Sequence, residues 1–346
     1  MLPYLIIIPV IFYLLISDFS SKARRLNTFV ILCLFIYISC LGFFRFDVGV
    51  DYMSYYNHFE SGFDRWRPES GFYYAVIILL LIGLPSHVVL GIFNLVTLLI
   101  FAKAVNQLRK LLQLDRWVYY IYILLPMFWL GSFNQVRQYL AVSITAYAMI
   151  FLFKSRSLLY ISLVLIASLF HITALLFLPL VLLKLRLSYF SALIILSLIF
   201  IFNYFIDVRE YLIVSSWYLE EGRGVSSLLS ALFFVTLIIL FSLKKRSDNM
   251  AVDKALNVFG LLLLGGLVLM LLGVLSGGAW ANFDRLGVYF AIPVPLIIGY
   301  FLNRKVPNDM RITLKIVVVF ICSAYYSLII ISGVHNIAPY DSYLLK

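Results

Sequence analysis

An all-α bundle crossing a membrane about twelve times is the fold class the sequence predicts, and three observations predict it. Apolar residues make up 64% of the 346-residue chain and charged residues only 12%. The apolar stretches are long and recur from Leu2 to Ile331, and basic residues collect in the short connections between them. Such a composition lies well outside that of water-soluble domains. A helix needs about 20 mostly apolar residues to cross the hydrocarbon core, and lipid leaves no partner for an unpaired backbone group. The runs are therefore read as helices of a single integral domain over residues 1–346.

The first run, LPYLIIIPVIFYLLI, has no basic residue before it and no small-residue cleavage site after it, so it is read as a retained helix over 2–17. Further crossings are predicted at 28–44, 86–102, 117–130, 136–153, 157–170, 172–185, 188–206, 227–243, 255–275, 286–302 and 312–332. The connections SKARR, KAVNQLRK, KSR, KLR, SLKKRSDN and NRK carry the lysines and set the cytoplasmic side. Loops 45–71, 207–226 and 276–285 and the tail 333–346 then fall outside. Counting 72–84 as a full crossing would put the basic 103–116 segment outside, so a juxtamembrane or re-entrant helix is expected there. The net charge of +11 follows from this topology and does not call for a nucleic-acid partner. Cys33, Cys40 and Cys322 lie inside apolar runs and are read as small packing residues.

Sorting the cations by side separates the two residue types. Ten lysines and nine arginines fall in cytoplasmic connections, whereas the external side holds seven arginines and no lysine before Lys346. The seven are Arg45, Arg65, Arg67, Arg137, Arg209, Arg223 and Arg285. Arginine offers a planar fork that grips phosphate or carboxylate through two bonds and sheds water more readily than an ammonium. An anionic ligand at the outer surface would select it. Pairing with the eleven external acids is the competing explanation, but it does not account for the missing lysines.

Three local patterns sharpen this. In GSFNQVRQYLAVSITAY, helical spacing puts Asn134, Arg137, Gln138, Ala141 and Thr145 on one face. Such a face belongs inside the bundle or in a wet cavity, since a charge at lipid depth costs roughly 2.5–3.5 kcal/mol. In SGGAWANFDRLGVYFAIP, Asn282, Arg285 and Tyr289 share a second face. His171 sits in an apolar run too long for one helix and too short for two, so a polar hinge at the external surface is expected, with the histidine either a hydrogen-bonded structural residue or a proton carrier or phosphate donor. The loop FRFDVGVDYMSYYNHF adds Asp47 and Asp51, and Glu69 follows. A carboxylate can activate a sugar hydroxyl as general base, and Tyr52 and its neighbours suit stacking on sugar faces. Asp51, Glu69 and His171 all stand as candidates to receive the proton, and Asp51 is alternatively the ion-pair partner of Arg45. The candidate ligands lack zinc spacing and dense carboxylates, so no metal site and no cofactor is predicted.

Together these residues resemble the EpsG-type branch of the Wzy polysaccharide (O-antigen) polymerases. The marks are F-R-x-x-V-G-x-D-Y-x-x-Y-x-x-x-F at Phe44 to Phe59, E-x-G-F-Y from Glu69 and N-Q-x-R-Q-x-L-A at Asn134 to Ala141. S-L-F-H-x-x-A at Ser168 to Ala174, D-R-x-x-x-Y-F at Asp284 to Phe290 and A-P-Y at Ala338 to Tyr340 complete them. Val50 departs from the small polar residue expected before the aspartate. The resemblance implies a GT-C-like, metal-independent membrane glycosyltransferase at the outer face of the bacterial inner membrane. Its donor and acceptor would be undecaprenyl-diphosphate-linked oligosaccharides, with membrane lipids around it and a chain-length regulator as a further partner. Arg45, Arg137, Gln138, Arg223, Arg285, Tyr52, Tyr289 and Tyr340 would then bind the diphosphate and the substrate. An O-antigen ligase or a transferase using a lipid-monophosphate sugar shares this chemistry. A flippase would also need buried arginines, but no transporter-type repeat is visible.

Overall fold

Helices form along the apolar runs and stop where proline, glycine or a polar cluster interrupts them. A computed structural model describes residues 1–18, 24–63, 68–185, 235–236, 238–239, 250–275, 282–333 and 336–345. In chain order the helices are α1 (Leu2–Leu5), α2 (Ile7–Ser17), α3 (Arg24–Phe43), α4 (Tyr52–Glu60), α5 (Ser70–Leu81) and α6 (Ser86–Leu111). Then come α7 (Val118–Leu124), α8 (Pro126–Trp129), α9 (Val136–Phe153), α10 (Ser157–Ser168) and a 3-10 segment Ile172–Leu185. The last are α11 (Met250–Leu275), α12 (Asn282–Ala291), α13 (Pro293–Lys305) and α14 (Asn308–Ser332). No strand occurs among the described residues; a single antiparallel bridge joins Arg45 to Ser342.

Among the described residues six helices are long and apolar enough to cross a membrane: Arg25–Phe43, Ser86–Leu111, Val136–Phe153, Met250–Leu269, Leu286–Lys305 and Asp309–Ser332. Shorter apolar helices lie at Leu2–Ser17, Ser70–Leu81, Ser157–Ser168 and Ile172–Val181. The chain is thus a helical membrane protein. At about 1.5 Å per residue, the 12 residues of α5 reach roughly 18 Å, well short of the hydrocarbon core. Gly83, with φ +85°, ends it, and α6 begins after Pro85.

Helix α9 is the hub, packing on α6, α10, the 3-10 segment, α11 and α12. Its apolar window is 83% buried, against 33% for α3 and α14, which turn Leu32, Ile36, Phe320 and Ile321 outward as lipid-facing surface. Small buried residues on α9, among them Ala141, Ser143, Ala146 and Ala148, let neighbouring backbones approach closely.

Two expectations change. The segment 117–130 is not one crossing: Pro126 cannot donate to the helix ladder, and the run breaks into α7, α8 and a 3-10 turn at Gly131–Phe133. Asn134 is not on the α9 face, because the helix starts only at Val136. The hinge expected at His171 is present between α10 and the 3-10 segment. The expected crossing 188–206, most of 227–243, the loop 207–226 and residues 276–281 lie outside the described residues, as do Arg65, Arg67, Arg209 and Arg223.

Candidate active site

Glu69 is the knot of the site. It ends the loop before α5, and Gly71 lets that helix start touch the end of α10, where a side chain would run into Leu169 Cβ at 2.7 Å and its carbonyl oxygen at 2.8 Å. The amides of Gly71 and Phe72 donate to that same carbonyl at 2.9 and 3.2 Å. The contact sets Glu69 beside the His171 hinge, where Oε1 accepts from the amide of Ile172 at 3.2 Å. Oε2 accepts from Arg137 Nη1 at the start of α9, and both side chains are about one-fifth exposed (21% and 19%). Arg137 Nε also donates to the Tyr55 hydroxyl of α4 at 3.4 Å.

His171 caps the segment that Glu69 reaches. Its Nδ1 accepts from the amide of Thr173 at 3.4 Å and lies 2.8 Å from Thr173 Oγ1, which in turn lies 3.2 Å from the Tyr289 hydroxyl of α12. An amide can only donate, so Nδ1 is the acceptor in its contact with the Thr173 amide. Loops and helix ends from α4, α5, α9, α10 and α12 thus bring Tyr55, Arg137, Glu69, His171, Thr173 and Tyr289 into one polar cluster. Gln138 is buried beside it on α9, at 4% exposure. Arg285 stands one turn before Tyr289 on α12, as its spacing predicted.

The opening loop forms a second centre. Gly49 takes φ +102°, a conformation glycine adopts without strain, and a side chain there would meet Asn134 Oδ1 at 2.6 Å and the Phe133 carbonyl oxygen at 2.8 Å. The adjoining amide of Val50 donates to Asn134 Oδ1 at 2.8 Å. Asn134 therefore anchors the loop to the start of α9. Asp51 occupies the N-cap position of α4, and Tyr52 and Tyr55 follow within its first turn.

Arg45 departs from expectation. It is 1% exposed, no ion pair joins it to Asp51 among the described residues, and its guanidinium carbon sits 4.5 Å from the Phe133 ring centroid and 5.5 Å from that of Tyr52. Burial lowers it to about 10, while the Tyr52, Tyr4, Tyr340 and Tyr55 phenols act in the opposite direction, so it stays cationic at neutral pH. Burial likewise raises the Tyr52 phenol and pushes that of Tyr340 up to about 12. Tyr340 donates to the Leu41 carbonyl at 3.1 Å and packs edge-on against Tyr4 at 5.8 Å, in a tail whose Ser342 bridges to Arg45.

The sequence reading omitted Tyr55 and Thr173 as site residues. Tyr55 carried a signal, since it repeats Tyr52 at a spacing of three in the tyrosine-rich loop; Thr173 carried none beyond its nearness to His171. Searches among curated proteins and solved structures return no match. The EpsG family model matches residues 27–342, nearly the whole chain and every segment of the site just described, and on that match the protein belongs to the EpsG family.

Proposed function

We propose that this protein is a polysaccharide polymerase of about twelve crossings, acting at the outer face of the bacterial inner membrane. It moves a growing glycan from undecaprenyl diphosphate to a sugar hydroxyl of a new lipid-linked repeat unit. The bond between the anomeric carbon and the diphosphate oxygen breaks, and the diphosphate leaves with the electron pair. The acceptor oxygen bonds to that carbon and gives up its proton. Family membership supports the reaction class. The observation that carries the assignment to these residues is the Arg137–Glu69 pair locked to the His171 hinge.

Arg137 and Arg285 receive the charge that develops on the diphosphate, a task suited to preorganised donors in a partly dry site. Both Glu69 oxygens already accept hydrogen bonds, which supports Glu69 as the group that holds Arg137 in position. His171, beside this pair, donates to a phosphoryl oxygen, and Asp51 takes the sugar proton. In this reading arginines do the work a metal would otherwise do.

The test is the length distribution of surface glycan in a deletion strain complemented with variants. Arg137→Ala leaves single repeats, and Arg137→Lys, which keeps charge but loses the fork, gives very short chains. Long ladders from a well-expressed Arg137→Ala protein overturn the assignment. His171→Gln keeps a donor near the Nε2 position and retains most chain length, whereas His171→Ala does not. A glutamine variant as inactive as alanine makes His171 the base.

A further inference from the structure

Arg45 is buried without compensation. None of its three guanidinium nitrogens has a hydrogen-bond partner among the described residues. The aromatic faces of Phe133 and Tyr52 attract a desolvated cation, but they return less than stripping it of water costs. An anion would close that gap. The guanidinium brings five donors in a plane, the array that suits a phosphoryl group.

The C-terminal tail pairs with the backbone on either side of Arg45. Phe46 donates its amide to the Asp341 carbonyl at 3.0 Å and Tyr343 donates to the Phe44 carbonyl at 3.0 Å, flanking the Arg45–Ser342 bridge. Further along, Gly49 donates to the Asn336 carbonyl at 2.9 Å and the Tyr4 hydroxyl to the Ile337 carbonyl at 2.9 Å. The Tyr343 ring stacks on His87 at 3.8 Å and meets Phe46 edge-on at 4.6 Å. These are the contacts of an isolated bridge and not of a sheet. A few hydrogen bonds and ring contacts, with no continuous ladder among the described residues, hold the tail, an arrangement suited to local opening.

We propose that residues 336–345 form a strap that closes over Arg45 and lifts to admit a phosphoryl oxyanion to its guanidinium. The polymerase reading enters only in naming the natural ligand as a lipid-linked diphosphate. With the strap down, protein atoms cover the guanidinium, so the anion binds the lifted form and draws the population toward it. Arg45 is then an anion-binding residue in its own right, separate from Arg137, which Glu69 holds in position.

The test uses the full chain in detergent with Cys33, Cys40 and Cys322 changed to alanine and Ser342→Cys added, since Ser342 is only 5% exposed with the strap closed. Maleimide labelling of that cysteine is slow without ligand and rises about tenfold in saturating inorganic pyrophosphate. Arg45→Met abolishes the rise. Tyr343→Ala, which keeps Arg45 but loosens the strap, labels faster without ligand and binds pyrophosphate severalfold more tightly. Phosphatidylglycerol micelles are run in parallel: a rise with pyrophosphate alone assigns the diphosphate head, and a rise with both assigns phosphoryl groups from either source. Labelling indifferent to pyrophosphate, a rise that persists in Arg45→Met, or unchanged affinity in Tyr343→Ala overturns the proposal. A chain that builds long glycans while its strap ignores pyrophosphate loses the strap and keeps the polymerase; a responsive strap on a chain that makes no polymer does the reverse.

Discussion

Arg45 and Arg137 flank one tyrosine-bearing helix, with Tyr55 close to both, yet the fold treats the two guanidinium groups in opposite ways. Arg137 is partly exposed and is held in position by a countercharge, Glu69. Arg45 is fully enclosed and faces aromatic rings in place of a carboxylate. The predicted cytoplasmic end follows the first pattern: Asp18 takes the Tyr120 hydroxyl at 2.6 Å and Asn27 at 2.8 Å, and Lys315 pairs with Asp115 at 2.8 Å. Paired charges hold parts together. A charge kept unpaired at such cost points to a partner that comes and goes.

Methionine in place of each arginine breaks the comparison most sharply. Arg137→Met strands Glu69 beside the hinge and lowers stability by about 1–3 kcal/mol, the smaller part of the range for a broken buried pair because both groups keep some water. Arg45→Met removes an uncompensated ion from an aromatic setting and is neutral or stabilising by on the order of 1 kcal/mol. Thermal unfolding in detergent reads both, and a large loss for Arg45→Met would give that cation a structural countercharge.

Gly49→Ala tests the hinge between the two centres. Positive φ and the approach of Asn134 and Phe133 together cost about 1–3 kcal/mol, seen as a lower unfolding midpoint with shortened glycan. Tyr55→Phe gives the smallest effect. It deletes one hydrogen bond to Arg137, worth roughly 0.5–1.5 kcal/mol, and shortens chains modestly without altering the Arg45 response to pyrophosphate.

Much of this arrangement was legible in residue order. Lysine's absence from external loops singled out Arg45 and Arg137, and the helical spacing of Arg285 and Tyr289 holds on α12. The hinge at His171 followed from a run of the wrong length. Partner choice was not legible. Glu69 follows Arg65 and Arg67 in its own loop, yet it pairs with Arg137, because Gly71 lets α5 dock on α10. Asp51 stands six residues from Arg45 without pairing to it, because Gly49 turns the backbone between them toward Asn134. Sequence proximity supplies candidates, and long-range packing chooses among them.

The strap also fixes an order of assembly. Leu41 and Tyr340 are 299 positions apart, so α3 is threaded into the membrane long before the tail leaves the ribosome. Throughout synthesis the Phe44–Phe46 edge waits with open backbone groups, and nothing local can close it. The Arg45 edge is therefore closed only after α14 has been made, and a chain halted behind α14 would leave that arginine uncovered.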